Sequence, residues 1–310
     1  MTWNPLELPD QTGKTFVVTG GNTGIGYFAA EQLARAGAHV VIASRNEQRV
    51  AKAHEAIRAE VGEASLGFVQ FDLTSLASVR DAAAELAALP HIHGLILNAG
   101  VMSKPGREDV TEDGFPMMMG SYLGNFALVA GVLSGAHPGR IIHASSGLVR
   151  LARVDVGDLT AAPRQANVEY TRSKTAIEVF GFELDRRLRA SGSTTASIMT
   201  RPGMSVDSRT PARPGIARSR RRDEPLWGVV GQSKESSAWS VVRAAVDPQA
   251  TGGQFFAPSG SIGGPPVLVK PLGRTLAPPR HVADRLWSQS EELTHVTLHL
   301  SDRATRSGGD

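Results

Sequence analysis

Short apolar runs alternate with longer amphipathic stretches along most of the chain. The runs predict strands at 15–19, 39–43, 67–71, 95–97, 140–144, 195–200 and 253–256. Apolar positions at helical spacing predict helices over 24–36, 47–61, 75–88, 118–133, 171–189 and 234–246. A strand followed by a helix, repeated in this way, implies a parallel sheet covered on both faces, because parallel neighbours need a crossover. Right-handed crossovers leave a doubly wound parallel sheet, a Rossmann-type α/β fold, as the simplest arrangement. One such domain would take up residues 1–310. The pattern breaks at 201–231, rich in Arg, Pro, Gly and Ser, and at 258–279, rich in Gly and Pro. The first reads as a loop and the second as a segment winding over the surface. The polar tail 301–310 is expected to be disordered.

Composition narrows the functions. With 310 residues, 41% hydrophobic and 20% charged, the chain has the make-up of a soluble globular protein. It has no cysteine, which excludes disulfides, thiolate metal sites and cysteine nucleophiles. A net charge of +3, from 33 basic and 30 acidic residues, is too slight to argue for nucleic acid. Seven Arg fall in 201–231, Arg220, Arg221 and Arg222 among them, but no aromatic platform accompanies them, so a solvated loop is the better reading. No apolar run approaches the ~20 residues of a membrane span, and residues 1–10 lack a signal-peptide pattern. A cytoplasmic protein acting on a small molecule is expected, without a metal, since the nine His are scattered. Whether it forms a homo-oligomer stays open.

Two stretches carry chemistry. The first strand runs into Thr19-Gly20-Gly21-Asn22-Thr23-Gly24-Ile25-Gly26. Glycines there let the backbone approach a ligand, and the helix that follows points its first N–H groups at an anion such as a pyrophosphate. The second strand ends at Ser44-Arg45. A carboxylate at this point would accept from ribose hydroxyls and repel a 2′-phosphate, whereas a guanidinium pairs with one, so NADP(H) is the expected cofactor. Further on, Tyr170 and Lys174 stand four apart and share a helix face. A neighbouring ammonium favours the phenolate and suits Tyr170 to proton transfer. Ser145-Ser146 closes the fifth predicted strand, at the sheet end where ligands bind, and a hydroxyl there could hold a carbonyl or alcohol oxygen.

Taken together, these motifs resemble the short-chain dehydrogenase/reductase family over about residues 12–300, most of all its retinol-dehydrogenase-like and protochlorophyllide-reductase-like branch. The likeness rests on the run from Thr19, Asp72-Leu73, Asn98-Ala99-Gly100, Ser146, Tyr170 with Lys174, and Arg201-Pro202-Gly203. It implies Tyr170 as general acid/base, Ser146 as holder of the substrate oxygen and Lys174 as ligand of the nicotinamide ribose. It also implies Asp72 at the adenine, Asn98 lining the cofactor cleft, Pro202-Gly203 beside the nicotinamide, and 204–232 as a variable substrate loop. Two departures stand out. The family's Asn on the helix before the fifth strand, whose backbone anchors a relay water, is replaced by Ser121 when Leu123-Gly124 are matched, with Asn125 one turn on. The Thr that often follows Pro-Gly is replaced by Asp207 or Ser208.

The expected activity is hydride transfer between NADP(H) and a carbonyl or alcohol, with a lipophilic substrate. The alternative is an NADP-binding regulatory relative with a degraded proton relay. Photochemical reduction of a tetrapyrrole is disfavoured, because that group looks cysteine-dependent and this chain has none. The triplet Met117-Met118-Met119 fits either a substrate wall or core packing.

Overall fold

The structure is a computed structural model that describes residues 3–102, 109–163, 165–217, 230–260 and 262–300. Eight strands form one sheet: β1 (Thr15–Thr19), β2 (His39–Ser44), β3 (Leu66–Gln70), β4 (Gly94–Leu97), β5 (Arg140–Ala144), β6 (Ala196–Thr200), β7 (Phe255–Pro258) and β8 (Pro266–Leu268). Their order is β3-β2-β1-β4-β5-β6-β7-β8. The first seven run parallel, and β8 returns antiparallel to β7. The chain therefore starts in the middle of the sheet, winds outward to β3, and resumes at β4 on the other side of β1. This is the expected doubly wound fold, and the reversal between β1 and β4 opens a crevice at the carboxyl ends of the strands.

Alternate residues of each central strand feed two cores. Phe16, Val18, Val40, Ile42, Ile96 and Ile142 face α1 (Gly24–Arg35), α2 (Glu47–Val61) and a later helix, Lys234–Val246. Val17, Val41, Leu95 and Ile141 face α3 (Leu76–Ala87), α4 (Met117–Gly135) and α6 (Ala166–Ala190). Burial on both faces is why these strands read as continuous apolar runs. The remaining helices are α5 (Leu148–Leu151), α7 (the Lys234–Val246 helix), α8 (Gly273–Leu276) and α9 (Arg280–Thr294).

The expectations for three segments need correction. Residues 258–279 do not simply wind over the surface: they hold β8 and α8, and Thr275 is fully buried. The helix carrying Tyr170 begins at Ala166, five residues earlier than expected, so Tyr170 lies inside it. And α4 is long and apolar enough to cross a membrane by length and composition, contrary to the expectation of no such stretch; it is buried against α3 and α6 and is apolar all round for that reason. Of the expected substrate loop 204–232, the described ends are tied together by a Ser205–Gln232 bridge and by an ion pair between Asp207 and Lys234. Arg220, Arg221, Arg222, Trp227 and the tail 301–310 lie outside the described residues.

Candidate active site

The cradle forms where β1 passes into α1. Gly20 has φ +66° and Gly24 φ +61°, a left-handed conformation that side chains disfavour. At Gly26 a Cβ would come within 2.4 Å of Asn98 Nδ2 and 2.5 Å of the Gly20 carbonyl oxygen, so only glycine lets α1 sit this close to the sheet. Thr23 caps α1 without a side-chain bond to its first turn, which also has no acidic residue. The first N–H groups of a twelve-residue helix are thereby left to an anion. Behind the cradle, Thr19 Oγ1 donates to the Ile96 carbonyl (3.2 Å) and accepts from the Ala99 N–H (2.9 Å), while Asn98 Nδ2 donates to the Thr19 carbonyl (3.1 Å). These bonds lock the ends of β1 and β4 to each other across the crevice.

A cavity of about 320 Å³ opens there. Gly20, Asn22, Thr23, Ser44, Arg45, Asp72, Leu73, Asn98, Ala99 and Gly100 line it, ten of the residues expected at the cofactor. Gly24, Ile25, Gly26, Pro202 and Gly203 do not line it. Asn46 and Arg49 line it as well and were missed from the sequence. Asn46 caps α2 by accepting the Arg49 N–H (2.9 Å), which sets Arg49 one turn from Arg45. Ser44 Oγ donates to Asn22 Oδ1 (3.0 Å), and Gln70 Nε2 holds the Arg45 carbonyl (3.0 Å). Asp72 spends Oδ1 on the N–H and hydroxyl of Thr74 (2.9 and 2.7 Å), which shapes the turn after β3. The residues fit a dinucleotide: a bare helix N-terminus for its phosphates and a cleft with cationic side chains at one end.

A second cavity, about 160 Å³, shares residues 98–101 with the first and continues the crevice. Tyr170, Lys174, Ser121, Asn125, Met118 and Ile177 are among its lining. Lys174 is buried; its Nζ donates to the Ala144 carbonyl (2.8 Å) and lies 5.8 Å from the Tyr170 ring centre. Burial pulls the Lys174 ammonium down to about 8. Ser121 Oγ donates to the Met117 carbonyl (3.1 Å), and Asn125 Nδ2 donates to the Ser121 carbonyl (2.9 Å). Asn125 Oδ1 is buried and has no partner among the described residues. Ser146 does not line this cavity; its Oγ accepts from the Leu148 N–H (3.3 Å) at the head of α5.

Two supports had no sequence signal. Glu169 Oε1, next to Tyr170, accepts the Met118 N–H (2.8 Å) and so caps α4 from α6. Arg172, inside the Tyr170–Lys174 turn, donates to the carbonyls of Asp155 (2.9 Å), Ala161 (2.7 Å) and Asp158, stapling the segment before α6 to the helix. Met118 lines the second cavity, and Met119 packs in the core. His91 and His93 stack edge to face, and no group of potential metal ligands occurs among the described residues.

A dinucleotide crevice that ends at a buried lysine and a tyrosine defines a class, the nicotinamide-dependent oxidoreductases of the short-chain type. The chain belongs to the short chain dehydrogenase family, which it matches over residues 14–210. It is 35% identical to polyprenol dehydrogenase of Mus musculus over 94% of this chain and 87% of that one. It is 33% identical to retinol dehydrogenase 13 of Homo sapiens, over 91% of this chain and 84% of that one. Among solved structures, an uncharacterised protein of Mycobacterium paratuberculosis superposes with a TM-score of 0.77 at 27% identity, covering 96% of this chain and all of that chain.

Proposed function

We propose that the protein interconverts a lipophilic alcohol and its carbonyl with NADP(H), as an oxidoreductase acting on CH–OH donors. The observation that carries this reading is the continuous crevice from Arg45 and Arg49 to Tyr170 and Lys174. Gly20, Asn22, Thr23 and the α1 N-terminus, with Gly24, Ile25 and Gly26 behind them, would hold the pyrophosphate. Ser44, Arg45 and Arg49 would hold the 2′-phosphate, Asp72 and Leu73 the adenine, Asn98, Ala99 and Gly100 the middle of the cofactor, and Pro202 and Gly203 the nicotinamide end. When bound, the nicotinamide donates or accepts the hydride.

The protein's own part is the proton. Tyr170 gives a proton to the carbonyl oxygen as it becomes an alkoxide, or takes one in the reverse direction. Lys174, one turn on, stabilises the phenolate by charge and binds the ribose. Ser146 stands outside the lining of that cavity; the family resemblance is what gives its hydroxyl the role of orienting the same oxygen. Met102, Met118 and Ile177 give the second cavity an apolar side suited to a hydrocarbon substrate; the names of the two relatives point the same way. The departure at Ser121 keeps the alternative of a low-activity NADP-binding relative in view.

The test is oxidation of NADPH, followed by its absorbance, with a panel of long-chain and polycyclic aldehydes and ketones. Turnover is expected with lipophilic members. In Tyr170→Phe it should fall by ~10²–10⁴-fold, the usual worth of general acid–base catalysis, with NADPH binding kept. Tight NADPH binding with no turnover on any member would favour the regulatory alternative.

A further inference from the structure

Behind the end of β5, on the α4–α6 side of the sheet, lies a buried carboxylate that the reaction above does not use. Glu178 stands one helical turn beyond Lys174 and two beyond Tyr170, on the same side of α6. It is only 1% exposed. Its Oε1 accepts a short bond, 2.6 Å, from the hydroxyl of Ser145, itself 3% exposed. Its Oε2 is buried and has no partner among the described residues. Burying a carboxylate is costly unless neighbours hold it. Here they come from three elements: Ser145 at the end of β5, Thr275 and Arg274 on α8, and Arg201 just past β6. Burial pushes the Glu178 carboxyl up, and these hydroxyls and cations oppose it.

The cluster sits directly under the turn that carries Ser146. Ser145 is fixed twice, by its hydroxyl to Glu178 and by its N–H to the Thr200 carbonyl (2.8 Å). Ser146 follows, two residues past the last residue of β5. Its Oγ accepts the Leu148 N–H, which leaves its O–H to donate outward. Gly147 rests on the Arg201 side chain, with 3.8 Å between its would-be Cβ and Arg201 Cδ. Arg201, 4% exposed, leads into Pro202-Gly203. Its Nε too is buried and unpartnered among the described residues.

We propose that Glu178 is a positioning residue: through the Ser145 hydroxyl it fixes the turn that presents Ser146, and so governs turnover without touching substrate or cofactor. The proposal rests on the reading of Ser146 as holder of the substrate oxygen. An anchor of this kind matters because small misplacements of an orienting group are expensive; about 1 Å can cost 10²-fold in rate. Arg201 is the cation that faces the carboxylate from β6, so the same cluster joins the Ser146 turn to the Pro202-Gly203 turn.

The experiment compares Ser145→Ala, Glu178→Leu, Glu178→Gln and the Ser145→Ala/Glu178→Leu double variant in the full chain. Amide hydrogen exchange at 146–150 is read in the protein without substrate, with the melting temperature alongside. Turnover and NADPH affinity are read with whichever carbonyl the parent reduces. Ser145→Ala and Glu178→Leu should each raise exchange several-fold in that segment and lower kcat by up to about 10²-fold, with NADPH affinity unchanged. The double variant should be no worse than either single one, because both cut the same link. Gln retains an acceptor for Ser145 and should restore kcat to within a few-fold. Unaltered exchange in both Ser145→Ala and Glu178→Leu would overturn the proposal. So would losses in kcat that multiply in the double variant. A parent with no turnover on any carbonyl would sink the oxidoreductase reading instead, and the exchange measurement would still decide the role of Glu178.

Discussion

Arg45 and Arg49 show how two residue-level signals differ in visibility. Arg45 follows a strand directly, so its place at the cofactor crevice is implied by position alone. Arg49 joins it only because Asn46 caps α2 and sets the direction of the first turn, which no local pattern in the sequence announces. Replacing either by Ala should weaken NADPH binding about tenfold, the equivalent of ~1.4 kcal/mol, and leave NADH binding alone. Ser44→Asp should shift preference toward NADH by repelling the 2′-phosphate. Fluorescence titration with both nucleotides checks each variant; equal losses for NADPH and NADH would contradict the assignment. The relay position divides likewise. Ser121 Oγ is engaged by the Met117 carbonyl, whereas Asn125 Oδ1, in the cavity that holds Lys174, is buried and has no partner among the described residues. A cavity of that size with polar groups along one side admits water there. Asn125→Leu should therefore reduce turnover and raise the solvent isotope effect, with Ser121→Ala milder in both; parental values in both variants would remove these residues from the proton route.

At the level of elements, most of the sheet and its helices follow from apolar periodicity, because a strand buried on both faces cannot be mistaken for a loop. What escaped was held by distant partners. β8 is three residues in a Gly- and Pro-rich stretch; it pairs with β7, and its Pro266 carbonyl accepts from Arg243 Nη1 (2.6 Å) on α7. Glu169 caps α4 from another helix, across 51 positions of sequence. Arg172, between Tyr170 and Lys174, is 7% exposed and gathers three carbonyls from the preceding segment. The contact between α1 and the sheet yields a prediction of its own. Gly26→Ala forces a methyl onto Asn98 Nδ2 and the Gly20 carbonyl. Overpacking of this kind costs about 1–3 kcal/mol, so denaturant unfolding should show a loss in that range, together with weakened nucleotide binding. Unfolding at the parental midpoint would mean that α1 can move away freely.

Across the whole molecule, buried titratable groups make stability depend on pH. His143, on β5, is 1% exposed and hydrogen-bonds through Nε2 to Ser197 Oγ (3.0 Å). Burial holds its imidazole down to about 3, from 6.5. Between those values the unfolded chain binds the proton and the folded one does not. The stabilisation is therefore complete above about 6.5 and drains away as pH falls toward 3. Melting temperature should decline already between pH 6.5 and 5, before most carboxylates titrate, and His143→Gln should flatten that part of the curve. A parental slope in the variant would place the proton uptake elsewhere.

The central claim is that Tyr170 is a proton carrier poised by Lys174, and the chain offers a direct way to see it. It contains three tyrosines. Tyr27 and Tyr122 are fully buried, and burial pushes both phenols far above the usual range. A tyrosinate absorbance step between pH 7 and about 10.5, near the free phenol value, therefore belongs to Tyr170. Titrated with NADP⁺ bound, the protein should show one such step, below the free phenol value, absent in Tyr170→Phe and displaced upward in Lys174→Met. A step that stays at or above the free phenol value, or that ignores the loss of Lys174, would contradict the account.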